Sequence, residues 1–245
     1  MIVRALTAVD VLQLWERCAS LHPVDRALAM LQAAWPHEAP EALAALPIGE
    51  RERRAAALRV HTFGPRCEGV GECPGCGEVY QVDPPIDAIL AAPEAPREPV
   101  ALTVLDHELV VRVPDSRDQA ALTWCHDADE ALRVLVRRCV LSASRGGQPC
   151  DPAALPEAVL ARVGDALAAM DENAETLIEL ACARCEHRWV LAFDAGEFLF
   201  REVTARARRL VYEVHTLARS YGWREADILA MSGRRREAYL QMVGR

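Results

Sequence analysis

Two short cysteine pairs, far apart in the chain, restrict what it can fold into more than any other feature. Cys73-Pro-Gly-Cys76-Gly77 and Cys182-Ala-Arg-Cys185-Glu-His187 each set two thiols two residues apart, and each precedes a stretch with strand character. That spacing lets both sulfurs of a turn point at one ion while backbone amides face them. Two such turns complete a tetrahedral site with metal–sulfur bonds of about 2.3 Å. Cys73, Cys76, Cys182 and Cys185 are therefore the expected ligands of a structural zinc ion in a zinc ribbon.

Residues 77 to 181 separate the pairs, far more than the roughly 15–20 residues of a compact ribbon. If one ion joins the pairs, the intervening segment is an insertion that leaves from the metal and returns to it. The entropy of closing so long a loop rises only slowly with its length, whereas structural zinc supplies about 10–16 kcal/mol in small peptides. The competing readings are a redox CxxC or two unrelated pairs of buried thiols. A redox pair belongs at a helix start in a βαβ setting, and neither pair has that setting.

The chain has 245 residues, enough to bury a sizeable core in one or two domains. Hydrophobic residues make up 51% and charged residues 26%, a globular balance. Asp10, Glu16 and Asp25 interrupt the apolar positions of the first thirty residues, so no secretory segment is expected there. No stretch is apolar enough to span a membrane. Nine cysteines without a secretory signal point to a reducing compartment, and the expected location is the cytoplasm. All 28 basic residues are arginine. Residues 201–245 carry ten of them against five acids, a net of +5 on a chain whose total is −8. A basic end on an acidic body suits nucleic acid or an acidic protein partner.

The patterning gives an α+β fold, mostly α-helical, with zinc-ribbon-like β-hairpins at the centre, a helical insertion and a long C-terminal helix. Residues 1–64 read as helices: Ala8–Ala19 opened by a Thr7/Asp10 capping box, Pro23–Ala34, Glu41–Ala45, and Gly49–Thr62. In the last of these, Arg51, Arg53, Arg54 and Arg59 are expected outside and Ala56, Leu58 and Val60 partly inside. Trp15, Trp35 and His61 read as core or rim. Residues 65–84 and 174–194 form the ribbon core, with strands at Val79–Val82, Thr176–Ala181 and Trp189–Phe193, the last two as a buried hairpin. Residues 85–173 are the insertion: a linker at Ala91–Pro99, a hairpin of Val100–Leu105 and Glu108–Val113, then helices at Ser116–Trp124, Asp127–Val140 and Leu155–Met170. In residues 195–245, Asp194 and Glu197 open the longest helix. Its seam is Phe200, Val203, Ala207, Leu210, Val214, Leu217 and Tyr221, read as intramolecular core. Gly222 ends it, and two short helices follow.

Catalytic patterns are mostly absent. Cys67 and His187 lie near the knuckles as reserve ligands, but four cysteines already close a zinc site and leave no open position for water. Cys18, Cys125, Cys139 and Cys150 have no identifiable His-plus-acid partner. The run Cys125-His126-Asp127-Ala-Asp129-Glu130 places acids where a helix start favours them. Residues 64–71 lack the P-loop lysine and the dinucleotide fingerprint. No enzymatic activity is expected. The closing helices, with Arg234, Arg235 and Arg236, also admit a helix-turn-helix reading, hence a zinc-ribbon nucleic-acid-binding regulator as the alternative function.

Several phrases together resemble a known family. They are His22-Pro-Val-Asp-Arg26, Leu46-Pro-Ile-Gly-Glu-Arg51, Thr62-Phe-Gly64, Cys73-Pro-Gly-Cys-Gly-Glu78, Arg112-Val-Pro-Asp115, Arg138-Cys-Val140, Leu155-Pro-Glu157, the second knuckle with Trp189 and Phe193-Asp194, and the stretch from Val214 to Leu229. In their order they resemble the T-even-type phage baseplate hub assembly chaperone family of contractile tails and the injection systems derived from them. The resemblance implies a non-enzymatic role in assembling or forming the baseplate hub. The implied partners are hub, spike or tail-tube proteins, with incorporation into a tail or injection particle as one outcome. It supplies no catalytic residues. The second knuckle departs from a CPxCG pattern: Ala183 follows Cys182, and Glu186 stands where a glycine able to take positive φ is expected. The C-terminal region, Phe200 to Val243, is the expected docking surface, with Arg234, Arg235 and Arg236 contributing to binding but not to stability.

Overall fold

The computed structural model describes residues 3–243. The chain folds as a mostly helical α+β protein. Four N-terminal helices come first: α1 (Ala8–Cys18), α2 (Pro23–Ala34), α3 (Pro40–Ala44) and α4 (Ile48–Phe63). The Thr7/Asp10 capping box is formed, with Asp10 N–H donating to Thr7 Oγ1 at 3.2 Å and Thr7 N–H to Asp10 Oδ2 at 2.8 Å. Pro23 occupies the first turn of α2, where its missing N–H goes unneeded.

The first knuckle lies between β1 (Gly69–Glu72) and β2 (Val79–Val82), and the second between β7 (Thr176–Ala181) and β8 (Arg188–Phe193). Each is its own two-stranded antiparallel sheet. Between them, α5 (Ile86–Ala91) leads into the inserted unit. There β3 (Val100–Val104), β4 (His107–Val111), β5 (Val140–Arg145) and β6 (Gln148–Cys150) form one antiparallel sheet in that order. The helices α6 (Ser116–Ala121), α7 (Ala128–Cys139) and α8 (Glu157–Met170) accompany it. Its core joins Leu109, Val111, Val136, Cys139, Val159, Leu160 and Val163.

The C-terminal helix α9 (Ala195–Tyr221) follows β8 directly, with Asp194 Oδ1 accepting from Glu197 N–H at 2.6 Å. Gly222 ends it at φ +68°, the left-handed conformation that glycine adopts without steric cost. The seam residues Phe200, Val203, Ala207 and Leu210 join Leu12, Leu14, Met30, Leu31 and Leu58 in the main core. The seam is thus intramolecular, as its three-heptad length suggests. Two helices close the chain, α10 (Glu225–Ala230) and α11 (Gly233–Val243).

Five local expectations require correction. Arg51, Arg54 and Arg59 of α4 are buried, not solvent-facing; helical periodicity marks a face as polar but cannot tell water from buried carboxylates. Arg51 is only 2% exposed: its Nε and Nη2 donate to Glu52 Oε1 at 3.1 and 2.8 Å, and its Nη1 donates to Ser116 and Gln119. Arg54 pairs with Glu50 and Glu38, and Arg59 with Glu202 of α9. The inserted sheet has four strands where a hairpin is expected, since β5 pairs with β4 and β6 with β5; β5 and β6 lack the apolar alternation that would announce them. Strand β1 and helix α5 were equally silent, β1 because Gly69-Val-Gly-Glu72 has a single apolar side chain. The β7–β8 hairpin is not buried: Ile178, Leu180 and Trp189 are half-buried on one face, and Leu177 and Val190 lie on the open face, 54% and 56% exposed. Finally, Arg236 is not a surface cation: it is 3% exposed and donates to Glu213 Oε2 at 2.9 Å, pinning α11 to α9.

Helix α4 is the joint of the molecule. Gly49 N–H, at its start, donates to Asp171 Oδ2 at 2.9 Å, and a Cβ at Gly49 would meet Asp171 Oδ1 at 2.0 Å, so only glycine fits. Burial pushes the Asp171 carboxyl above its usual range. Ile48 N–H donates to Pro114 O, so Leu46-Pro47-Ile48 meets Pro114-Asp115 of the insertion. Glu52 Oε2 accepts from Ala195 N–H at 2.7 Å, capping the start of α9 two residues after the second knuckle's strand. One helix therefore ties the N-terminal helices, the insertion and the cysteine hairpins together.

Candidate metal centre

Each knuckle is built by the same backbone pattern. In the first, Cys73 N–H donates to Glu78 O and Gly77 N–H to Cys73 O, both at 2.9 Å. In the second, Cys182 N–H donates to His187 O and Glu186 N–H to Cys182 O, again at 2.9 Å. Gly75 N–H and Arg184 N–H each point at the first sulfur of their turn, both at 3.4 Å. The residue after the second cysteine has positive φ in both turns, +71° at Gly77 and +59° at Glu186. Glu186 thus holds a conformation that disfavours a side chain by roughly 1–2 kcal/mol.

The two turns meet face to face. Cys73 Sγ lies 3.7 Å from Cys185 Sγ, and Cys76 Sγ 3.7 Å from Cys182 Sγ; all four sulfurs fall within 4.8 Å of one another. A tetrahedron with bonds of about 2.3 Å has its sulfurs about 3.8 Å apart, so the pocket among them fits one four-coordinate ion. Cys73 and Cys182 are buried, whereas Cys76 and Cys185 are exposed. The first cysteine of each turn thus anchors the site and the second closes it from outside.

The thiols of the cluster titrate together. Backbone N–H groups of Cys185 and Arg184 hold the Cys182 thiol down at about 7. At Cys76 the Glu78 N–H pulls the same way, but the Cys185, Cys182 and Cys73 sulfurs and lost solvent outweigh it and push that thiol up to about 12. Four sulfurs this close cannot all ionise without a positive charge between them.

Around the sulfurs, Tyr80 meets Trp189 edge-on at 5.3 Å, and Arg184 Nη1 pairs with Glu78 Oε2 at 2.9 Å across the two hairpins. His187 stacks on Trp189 at 5.8 Å, and a Cβ at Gly75 would lie 3.2 Å from the His187 ring. The sequence-derived ligands Cys73, Cys76, Cys182 and Cys185 are the four brought together; neither Cys67 nor His187 belongs to the set. Cys67 packs instead beside Ile86 and Ala55, its thiol pushed up by burial. The Cys125–Glu130 run is a helix cap, with Glu130 N–H on Asp127 Oδ1 and His126 N–H on Glu130 Oε2.

Sequence reasoning missed the buried charges of α4, which border a cavity of about 520 Å³ between the insertion and β8, walled by Leu122, Leu135, Leu167 and Phe193. The Arg51 and Glu52 groups that reach it are already satisfied by one another, by Ser116 and Gln119, and by the α9 amides. Burial raises the Glu52 carboxyl. The signal in the sequence was the pairing of Glu50 and Glu52 with the arginines around them in one helix. Among the described residues, no helix is long and apolar enough to cross a membrane.

Fold and site together define a mostly helical α+β protein with a four-cysteine centre between two sequence-distant hairpins. No family model, curated protein or solved structure matches the chain.

Proposed function

We propose that the chain is a non-enzymatic, zinc-binding assembly factor or structural component of the baseplate hub of a contractile tail or tail-derived injection system. It acts by binding other proteins. The observation that carries the reading is the closed four-sulfur centre, which leaves no coordination position for a substrate and serves to fix the hairpins. Zinc suits four thiolates in tetrahedral array, and in the bound state it would supply folding energy, not reactivity. Hub, spike or tail-tube proteins are the proposed partners, and that step rests on the ordered sequence phrases. Some of those phrases are joints of the fold: Leu46-Pro-Ile48 against Pro114-Asp115, and Arg112 and Arg138 converging on buried Asp118.

The test is affinity purification of the tagged chain from its native cells, with nuclease treatment. Hub, spike or tail-tube proteins that remain bound after nuclease support the reading. Nucleic acid recovered before nuclease, with no tail proteins after it, would replace it by a zinc-ribbon regulator.

A further inference from the structure

We infer that the outer face of α9 is a docking surface for an acidic α-helix of a partner protein, with Arg208, Tyr212 and Arg219 as its centre. The inference rests on the proposed function only in taking the partner to be a protein.

At 100° per residue, Arg201, Arg208, Tyr212 and Arg219 fall within about 40° of one another on the side opposite the buried seam. Ala205 and His215 border them. All six are exposed, Tyr212 at 68%, and neighbouring Val211 is 48% exposed. The stripe runs about 27 Å along the helix.

Its charge is one-sided because every carboxylate of α9 is turned to another task. Glu197 pairs with Arg26 at 3.3 Å, Glu202 with Arg59 at 2.8 Å, and Glu213 with Arg206 and Arg236 at 2.7 and 2.9 Å. Arg201 reaches Glu197 only at 3.5 Å. Among the described residues, no carboxylate lies within ion-pair distance of Arg208 or Arg219. On a chain of net charge −8, the longest helix thus shows solvent an arc with cations and no acid.

Three features select the occupant. Arg201, Arg208 and His215 recur every seven residues, as do Ala205, Tyr212 and Arg219, the repeat that a second helix packed lengthwise would meet. An exposed tyrosine ringed by arginines has the composition of an interface anchor. A second copy of the same face would bring arginine against arginine, so charge selects an acidic helix and rejects self-pairing. Nucleic acid is poorly matched, since the stripe is one residue wide and interrupted by Ala205 and Tyr212, few cations for a phosphate track.

The test uses a fluorescent synthetic helix about four heptads long, with leucine and alanine on one edge and glutamate flanking them, against the full-length protein. Two controls are the same peptide with lysine for glutamate and a single-stranded oligothymidine of equal charge. Saturable binding of the acidic peptide alone is expected. It should weaken with added salt and fall roughly tenfold or more in Arg208→Glu/Arg219→Glu and in Tyr212→Ala, with unchanged circular dichroism and Tm. These side chains are exposed, so the variants fold. No binding at about 0.5 mM peptide, equal binding of the oligonucleotide, or indifference to the charge reversal would overturn the inference. None of these outcomes bears on which proteins co-purify from native cells, so the assembly reading stands or falls separately.

Discussion

At the scale of single residues, the buried charges and the left-handed turns decide most. Arg51→Ala strands Glu52 in the interior and is expected to cost about 3–5 kcal/mol, whereas Arg219→Ala, exposed and without an ion-pair partner among the described residues, should stay within about 0.5 kcal/mol; urea denaturation separates the two. Glu186→Gly relieves positive-φ strain in the second knuckle and should raise stability by about 1 kcal/mol at unchanged metal content. Asp118 sets an acid limit. Burial raises its carboxyl, but hydrogen bonds from Arg112, the Asp115 N–H and Arg138 outweigh burial and hold it below its ordinary value. The unfolded chain therefore binds this proton first as pH falls. The stabilisation is complete above the unfolded value of about 3.9 and is lost as pH drops through the lower folded value. Asp118→Asn should flatten that acid limb when urea midpoints are compared between pH 3 and pH 7. The four thiols were legible in the sequence because two CxxC turns are a local pattern with a fixed spacing. The buried arginines were not, because their partners, such as Glu202 and Ser116, come from distant segments.

At the scale of elements, α9 and α4 divide the work. The seam of α9 was legible from its spacing, and Leu210, fully buried among N-terminal side chains, should cost about 2–5 kcal/mol on replacement by alanine, read by thermal or chemical melting. Arg236→Ala should also destabilise, by roughly 3 kcal/mol, since it leaves Glu213 buried with one partner fewer. That reverses the expectation drawn from three consecutive arginines. Only the tertiary contact with Glu213 distinguishes Arg236 from its exposed neighbours Arg234 and Arg235. Helices α1, α2 and α9 begin where Thr7, Pro23 and Asp194 predict, because the chemistry of a helix start is local. Strands β1, β5 and β6 went unseen because they are held by cross-strand pairing more than by their own apolar pattern.

At the scale of the whole molecule, the four-cysteine cluster and α4 bring the same parts together from two sides. The sulfurs join β1–β2 to β7–β8, and Glu52 joins α4 to the start of α9, so the inserted unit leaves and returns through fixed points. Cys73→Ser or Cys182→Ser removes a buried thiol of the proposed zinc site, and lower soluble yield and a lower Tm are expected, with chelator treatment of the native chain acting in the same direction. The most direct measurement is the metal content of protein purified under reducing conditions, combined with X-ray absorption at the zinc edge and titration of accessible thiols. One zinc per chain, bound by four sulfurs at about 2.3 Å, with Cys73, Cys76, Cys182 and Cys185 unreactive until chelation, is the predicted result. Protein free of metal, with these four thiols titrating freely in a folded chain, would contradict it.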